Sequence, residues 1–201
     1  EDLDLLVFEQ QVRGKAGATT PEAKGSLDGA PVLGYVFPTT LKPEDVWFRN
    51  TSEGAIIALT VVSHPDFDDT PLWDENNDGD FNNDGEVYHT HWVALVEDDR
   101  VEGGYSVEEL SEDQIESSLP PTNPGMHMYM DSPGFSVVMR DRKLKVLVPA
   151  QRVNYNTDFS FDALSAFMQV NQANHDFPHL GVYEVYKVLS GDLSLPYSVA
   201  K

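Results

Sequence analysis

Two consecutive six-residue blocks place an oxygen-bearing side chain at every second position from residue 74 to residue 84. The blocks read Asp-Glu-Asn-Asn-Asp-Gly and Asp-Phe-Asn-Asn-Asp-Gly, and a glutamate follows them. Calcium is a hard cation that takes several oxygen ligands from one loop, and the glycine at the end of each block lets the chain bend. We therefore predict a calcium site whose ligands are Asp74, Asn76, Asp78, Asp80, Asn82, Asp84 and Glu86.

The repeated Asp-x-Asx-x-Asp-Gly pattern resembles the calcium loops of dockerins, thrombospondin type 3 repeats and EF-hands. Counted from Asp74, the twelfth position is Gly85, where an EF-hand has a bidentate glutamate. The resemblance therefore implies a calcium-stabilised loop rather than a regulatory EF-hand. The alternative to a calcium site is an acidic turn that binds no ion. Other carboxylates that could complete the calcium shell are Asp66, Asp68 and Asp69.

Histidines form a second set of candidate ligands. His89 and His91 are separated by one residue, so on a β-strand both rings project from the same face. His64 ends the preceding apolar stretch, residues 55–63. If that stretch pairs as a hairpin with residues 87–97, His64 arrives near His89, and the acidic loop connects the two strands.

Methionine alternates with histidine in a third segment. His127 lies between Met126 and Met128, and Met130 follows. Thioether and imidazole together suit copper, because soft ligands favour Cu(I), although methionines on alternate positions of a strand also commonly fill a core. We predict a transition-metal site, with copper favoured, whose ligands are His64, His89, His91, His127 and Met128.

Two further resemblances concern the same histidines. His-x-His on a strand with Glu97 downstream is similar to cupins, and it implies a metalloenzyme in which a histidine or Glu97 transfers protons. Glu97 is a possible further ligand, but the spacing on either side differs from the cupin pattern, so no residue is carried over from that family. His127-Met128 followed by Met139 is similar to periplasmic copper chaperones of the His/Met type, although the expected second His-x-Met is missing.

Other polar and aromatic residues give weaker signals. His175 and His179 with Asp176 form a possible metal-binding set, but a polar turn is favoured there because Pro178 interrupts it. Trp47, Trp73 and Trp92 could stack on sugar rings. Trp73, beside the acidic loop, is the better candidate, whereas the position of Trp92 among the histidines favours the core. A carbohydrate-binding or cell-surface module is therefore the alternative function. The sequence lacks a Gly-x-Ser-x-Gly motif, a phosphate-binding glycine-rich loop and His-Glu-x-x-His.

Composition limits the partners and the compartment. The 201-residue chain has a net charge of −21, which disfavours nucleic acid and anionic membranes, and no apolar run long enough for membrane insertion. The absence of cysteine excludes disulfides and thiolate chemistry. Weak calcium loops suit extracellular calcium concentrations. We therefore expect a secreted or periplasmic protein, matured by removal of a leader or tag before Glu1. The acidity alternatively indicates salt adaptation.

Short β-rich stretches separated by Pro, Gly, Asn and Asp predict the fold class. We expect one domain over residues 1–201, an antiparallel β-sandwich or barrel of eight to ten strands, with residues 66–86 as a calcium-binding loop between two of them. The predicted strands cover residues 3–12, 31–38, 55–63, 87–97, 125–130, 135–140, 144–148 and 182–189. The predicted helices cover residues 106–117, from a capping box at Ser106 and Glu109, and residues 161–172.

The preferred functional hypothesis combines the calcium loop, the histidine site and the β fold. A calcium-stabilised β protein would hold a transition metal, or a metal-bound group, through its histidines, for binding, delivery or electron transfer. Its partners would be metal ions and, in the alternative, a carbohydrate or a protein.

Overall fold

A computed structural model describes residues 4–200, which contain twelve strands, one short α-helix and four short 3-10 helices. The strands are β1 (Leu5–Gln11), β2 (Ala30–Pro38), β3 (Ile56–Ser63), β4 (His89–Glu97), β5 (Tyr105–Val107), β6 (Met130–Asp131), β7 (Ser136–Arg140), β8 (Lys143–Pro149), β9 (Ser160–Phe161), β10 (Leu164–Val170), β11 (Leu180–Val188) and β12 (Tyr197–Ser198). The α-helix is α1 (Ile115–Ser118), and the 3-10 helices are Pro43–Val46, Asp84–Glu86, Glu112–Gln114 and Ala150–Val153.

Six of these strands close into an antiparallel barrel. Their order is β3-β2-β10-β11-β5-β4, and pairing between β3 and β4 completes the circle. The short strand β6 also pairs with β4. The prediction of a mainly β protein with a sandwich or barrel is confirmed, and the barrel is the correct alternative.

Strand β3 of the barrel is buried on both faces. Along β3, Ile57, Leu59 and Val61 belong to an outer core, whereas Ala58 and Val62 belong to an inner core inside the barrel. Successive strand residues point to opposite faces, so a strand with two covered faces is apolar throughout. This explains why β3 has no polar face in the sequence.

The outer core lies between the barrel and a three-stranded sheet of order β1-β8-β7. Phe8 of β1 packs edge-on against Phe37 and Trp92, at ring-centroid distances of 5.5 and 6.2 Å. Leu144 of β8 is completely buried in the same core. Trp92 is 1% exposed, so its prediction as a core residue is confirmed.

The predicted hairpin of β3 and β4 is also confirmed. The two strands pair in antiparallel register, with Val62 opposite His89 and Thr60 opposite His91. Residues 64–88 connect them and contain the acidic loop. The hairpin therefore brings the end of β3 to the start of β4, where the histidines lie.

Several predicted boundaries differ from the structure. The helix predicted over residues 161–172 is wrong, because β10 alternates buried and half-buried residues with a period of two. Its Leu, Ala, Met and Gln favour helices in isolation, but packing inside a barrel overrides that preference. The start of the first predicted strand, Leu3, lies outside the described residues.

The other predicted helix, residues 106–117, is mostly wrong as well. Its first residues form β5, and helical structure covers only Glu112–Gln114 and Ile115–Ser118. The capping box joins Ser111 and Gln114 rather than Ser106 and Glu109. Of the strand predicted over residues 125–130, only Met130 lies in a strand, β6. No helix within residues 4–200 is long and apolar enough to span a membrane.

Candidate metal centre

Four buried side chains meet inside the barrel at the end where β3 finishes and β4 begins. They are His64, Asp69, His89 and His91, and one ligand atom from each lies within 4.8 Å of the others. Oδ1 of Asp69 is 3.2 Å from Nε2 of His64 and 3.1 Å from Nε2 of His89. Oδ2 is 3.3 Å from Nε2 of His91. All four residues are at most 4% exposed.

Strand geometry positions the three histidines. His89 and His91 occupy one face of β4, and their rings meet at a centroid distance of 4.8 Å, as the sequence spacing predicts. His64 directly follows β3, and its backbone N–H donates to the carbonyl oxygen of Gly85 at 2.7 Å. Its ring also stacks on Phe67 at 4.0 Å. The rings are therefore held by backbone pairing and packing, so a metal would meet a preformed site.

Hydrogen bonds at the opposite ring nitrogens fix the tautomers. Nδ1 of His64 lies 3.0 Å from the carbonyl oxygen of Phe67, and Nδ1 of His89 lies 2.6 Å from that of Val87. A carbonyl oxygen only accepts, so both Nδ1 atoms donate a proton. In neutral rings, each Nε2 then presents a lone pair to the cluster.

The third ring is oriented by a hydroxyl group. Ser132 donates its proton to the backbone carbonyl of Asp69 at 2.6 Å, so its oxygen accepts a hydrogen bond from Nδ1 of His91 at 3.1 Å. Ser132 follows β6, and β6 pairs with β4 beside the histidines. Three neutral imidazoles therefore direct Nε2 lone pairs toward one carboxylate, and outer hydrogen bonds fix each ring, as in known metal sites.

The spacing of the ring nitrogens favours a proton or a metal ion between them. Nε2 of His64 and Nε2 of His89 are only 3.0 Å apart, and two facing lone pairs repel unless a proton or a metal lies between them. Nε2 of His91 is also buried and has no hydrogen-bond partner among residues 4–200. A buried polar atom without a partner costs free energy, and an ion bound at this nitrogen would remove that cost.

The pKa shifts agree with a shared cation. Burial raises the pKa of Asp69, but the charges of His91 and His64 and hydrogen bonds from the histidines outweigh it and hold the pKa well below its ordinary value. Burial lowers the pKa of His89, yet Asp69 and the Val87 carbonyl raise it overall. For His91 burial prevails and the pKa is lowered. A metal bound here would compete with any proton that the cluster shares.

An apolar cavity of about 110 Å³ inside the barrel reaches this cluster. His64, Asp69 and His91 all line it, so three of the four candidate ligands face open space. Its other walls are mainly aliphatic side chains and methionines of the inner core. A metal held by the cluster would therefore keep a coordination position directed into an apolar chamber.

The other predicted transition-metal ligands lie outside the four-residue cluster. His127 is exposed, and its ring is 6.3 Å from that of His179. Met128 is buried in the inner core and lines the cavity. The structure therefore brings together His64, His89 and His91, whereas Met128 contributes to the chamber wall.

The predicted calcium ligands occupy different environments. Side-chain oxygens of Asp74, Asn76, Asp78 and Asp80 accept hydrogen bonds from backbone N–H groups inside the loop, at 2.8 to 3.2 Å. Asn82 and Glu86 are exposed, whereas Asp84 is completely buried. The loop is thus already closed by its own side chains. Calcium binding by these residues stays a prediction.

Two carboxylates on the inner side of the loop lack partners. Oδ2 of Asp84 and both carboxylate oxygens of Glu75 are buried without a hydrogen bond from any residue in the described range. Burial raises the pKa of Glu75 to about 7 and also raises the pKa of Asp84. These oxygens are the part of the loop that would gain most from a bound cation.

The tryptophans that could stack on sugars make contacts within the protein that cover part of their rings. The indole N–H of Trp73 donates to the backbone oxygen of Ser132 at 2.7 Å, and its ring lies against Gly134. Arg152 lies 4.7 Å above the ring of Trp47. Trp73 is 38% exposed, so one part of its ring remains at the surface while the rest braces the segment that orients His91.

Asp69 and Ser132 are the two residues of the centre that sequence reasoning did not assign to it. Asp69 was considered only as an additional calcium ligand, because it is one of nine acidic residues in segment 66–86. Its position five residues after His64 was the available signal. Ser132 had none, because only the pairing of β6 with β4 brings it to the histidines.

The comparisons with known proteins do not extend this description. No family model matches the chain, and neither the curated proteins nor the solved structures give a significant match. The fold and the site together define the class of this protein. It is a six-stranded antiparallel barrel with a buried His/Asp group that could bind a metal ion.

Proposed function

We propose that this protein binds one divalent transition-metal ion through His64, Asp69, His89 and His91. The observation that carries the proposal is the convergence of three imidazole nitrogens and a carboxylate within 4.8 Å, all buried. Three neutral nitrogens and one anionic oxygen form a common donor set for zinc, iron(II) and copper(II). The open side toward the cavity favours a role in binding or transforming a small molecule.

Copper stays a prediction, but on different grounds. The sequence argument relied on a thioether ligand, and Met128 is not one of the four clustered residues. A site with only nitrogen and oxygen ligands suits zinc or iron as well as copper. Copper(II) has the highest intrinsic affinity among divalent first-row ions, but this alone does not select it. The metal in cells then depends on supply as well as on the site.

Elemental analysis of protein purified without a histidine tag tests the proposal. The wild type should contain or take up close to one equivalent of zinc, iron or copper per chain, and His91→Ala and Asp69→Asn should lose most of it. His127→Ala and His175→Ala are matched controls, because these histidines are exposed and do not belong to the cluster. Equal metal in all five proteins, or none in the wild type after incubation with each ion, would contradict the centre.

We also propose that the acidic loop binds calcium, as support for the metal centre and in a secreted or periplasmic setting. The supporting observation is the group of buried, unpartnered oxygens on Asp84 and Glu75 within the described chain. Calcium should raise the melting temperature more than magnesium does, and Asp84→Asn should reduce this effect. Asp113→Asn, which alters an exposed acid elsewhere, should leave it unchanged. No response to calcium in the wild type would remove the proposal.

A further inference from the structure

We infer that the barrel cavity binds a short, unbranched carboxylic acid, or a similar anion with an apolar tail, whose head group coordinates the metal. The inference rests on the proposed metal centre and adds the chemical class of its ligand. It follows from the shape of the cavity, from its lining and from the charge at one end.

The cavity is elongated. Ile56 and His64 both line it, although they lie at opposite ends of β3. Eight residues of strand extend about 26 Å. A six-stranded barrel is also narrower than the eight-stranded barrels that hold one small ligand. A volume of about 110 Å³ spread along such a barrel fits a thin chain better than a ring.

The lining is adaptable and apolar. Four of the five methionines in the chain, Met126, Met128, Met130 and Met168, contribute to the wall. Methionine side chains are unbranched and flexible, and they adjust to ligands of varied shape. This role also accounts for the concentration of methionine around His127. An engineered apolar cavity of about 150 Å³ holds benzene, so the present one accommodates about four or five carbon atoms.

Charge selects the head group. A divalent metal with one carboxylate and three neutral imidazoles leaves a net charge of +1 at a site that is almost fully buried. An unbalanced charge is costly away from water, so an anion in the open coordination position is favoured. Because His64, Asp69 and His91 line the cavity, a carboxylate bound to the metal would extend its tail between the methionines.

Binding of a homologous series of acids to cobalt(II)-loaded protein tests the inference. Acetate, butyrate, hexanoate and octanoate are compared by calorimetry, with n-hexanol as the uncharged counterpart. Each buried methylene should improve affinity about fourfold, so hexanoate should bind about 15-fold more tightly than butyrate, with little further gain for octanoate. Hexanoate should also change the visible spectrum of the bound cobalt, and n-hexanol should not.

Two leucine substitutions on β10, one inside the cavity and one outside it, test whether the tail of the acid occupies the cavity. Ala166→Leu adds three carbons to the cavity wall on β10, whereas Ser165→Leu makes a similar addition on the opposite face of the same strand. Ala166→Leu should keep full cobalt content and acetate binding but lose at least tenfold in hexanoate affinity, and Ser165→Leu should not. Should Ala166→Leu fail to fold, Val182→Leu fills the same cavity from β11.

The outcomes separate the two proposals. Protein that takes up no metal overturns the metal centre and, with it, the coordinated carboxylate. Full cobalt content with equal affinity for acetate and hexanoate overturns only the cavity inference. Equal hexanoate affinity in cobalt-loaded and metal-free protein also overturns it, because the head group would then not coordinate the metal.

Discussion

Zinc should stabilise the folded protein, and His91→Ala should abolish the stabilisation. The four proposed ligands come from the end of β3, the connecting loop and β4, and 27 positions separate the first, His64, from the last, His91. Unfolding disperses them. A metal that binds only the folded state shifts the unfolding equilibrium by mass action.

The size of the effect follows from the free zinc concentration. At about 100 times the dissociation constant, the gain in the free energy of unfolding is about 2.7 kcal/mol. For a chain of this length, 1 kcal/mol corresponds to roughly 2–4 °C in melting temperature. The wild type should therefore melt about 5–11 °C higher than the same protein in chelator.

Differential scanning calorimetry in zinc buffered by a chelator measures this shift. His91→Ala changes the starting stability as well, so the quantity to compare is the difference between zinc and chelator within each protein. His127→Ala, at an exposed histidine, should retain the full shift. A similar shift in His91→Ala, or none in the wild type at saturating zinc, would refute the assignment of the ligands.

Three further predictions concern residues around the centre. Ser132→Ala should weaken zinc binding about 10- to 100-fold, because its hydroxyl fixes the ring of His91. Gly85→Ala should lower both stability and zinc affinity, because a Cβ there would lie 2.7 Å from Nδ1 of His64. In metal-free protein, Asp131 should contribute a loss of about 2 kcal/mol of stability between pH 4 and pH 6, and Asp131→Asn should lack this contribution. Burial raises the pKa of this carboxyl from 3.8 to about 6, so only the folded state holds its proton in that range.

Each of these predictions has its own measurement and control. Zinc titrations compare Ser132→Ala with the exposed Ser136→Ala, and equal affinities would contradict the orienting role. Gly14→Ala is the control for Gly85→Ala, because a Cβ at residue 14 meets no atom within 4 Å; equal melting temperatures would contradict the predicted clash. Denaturant unfolding at several pH values follows Asp131, and parallel curves for the wild type and the variant would contradict the raised pKa.

Local patterns predict the hairpin and its histidines but not the whole barrel. The short run before His64 is rich in β-branched apolar residues, and the histidines of β4 alternate with a period of two, so both segments indicate strands in the sequence itself. The residues of β10 favour helix individually, and only pairing with β2 and β11 makes them a strand. The sequence therefore reveals the elements whose local preference and final environment agree.

The same distinction applies to the metal ligands. His89 and His91 share a face because of their spacing, so the sequence alone can pair them. Asp69 looks like its acidic neighbours, and the segment after His64 must fold back before one of these carboxylates reaches the histidines. Alternation with methionine groups His127 with the other predicted ligands, yet most of residues 125–130 do not lie in a strand and His127 is exposed.

The acidic loop and the metal centre behave as one structural unit. The N–H of His64 donates to the carbonyl oxygen of Gly85, and the hydroxyl of Ser63 donates to that of Glu86, both at 2.7 Å. The last residues of the loop are therefore bonded directly beside a proposed ligand. Residues 66–86 contain nine acidic side chains and no Lys or Arg, so their charges repel one another. A cation held by the loop would relieve the repulsion, and it would steady His64 without contacting the transition metal.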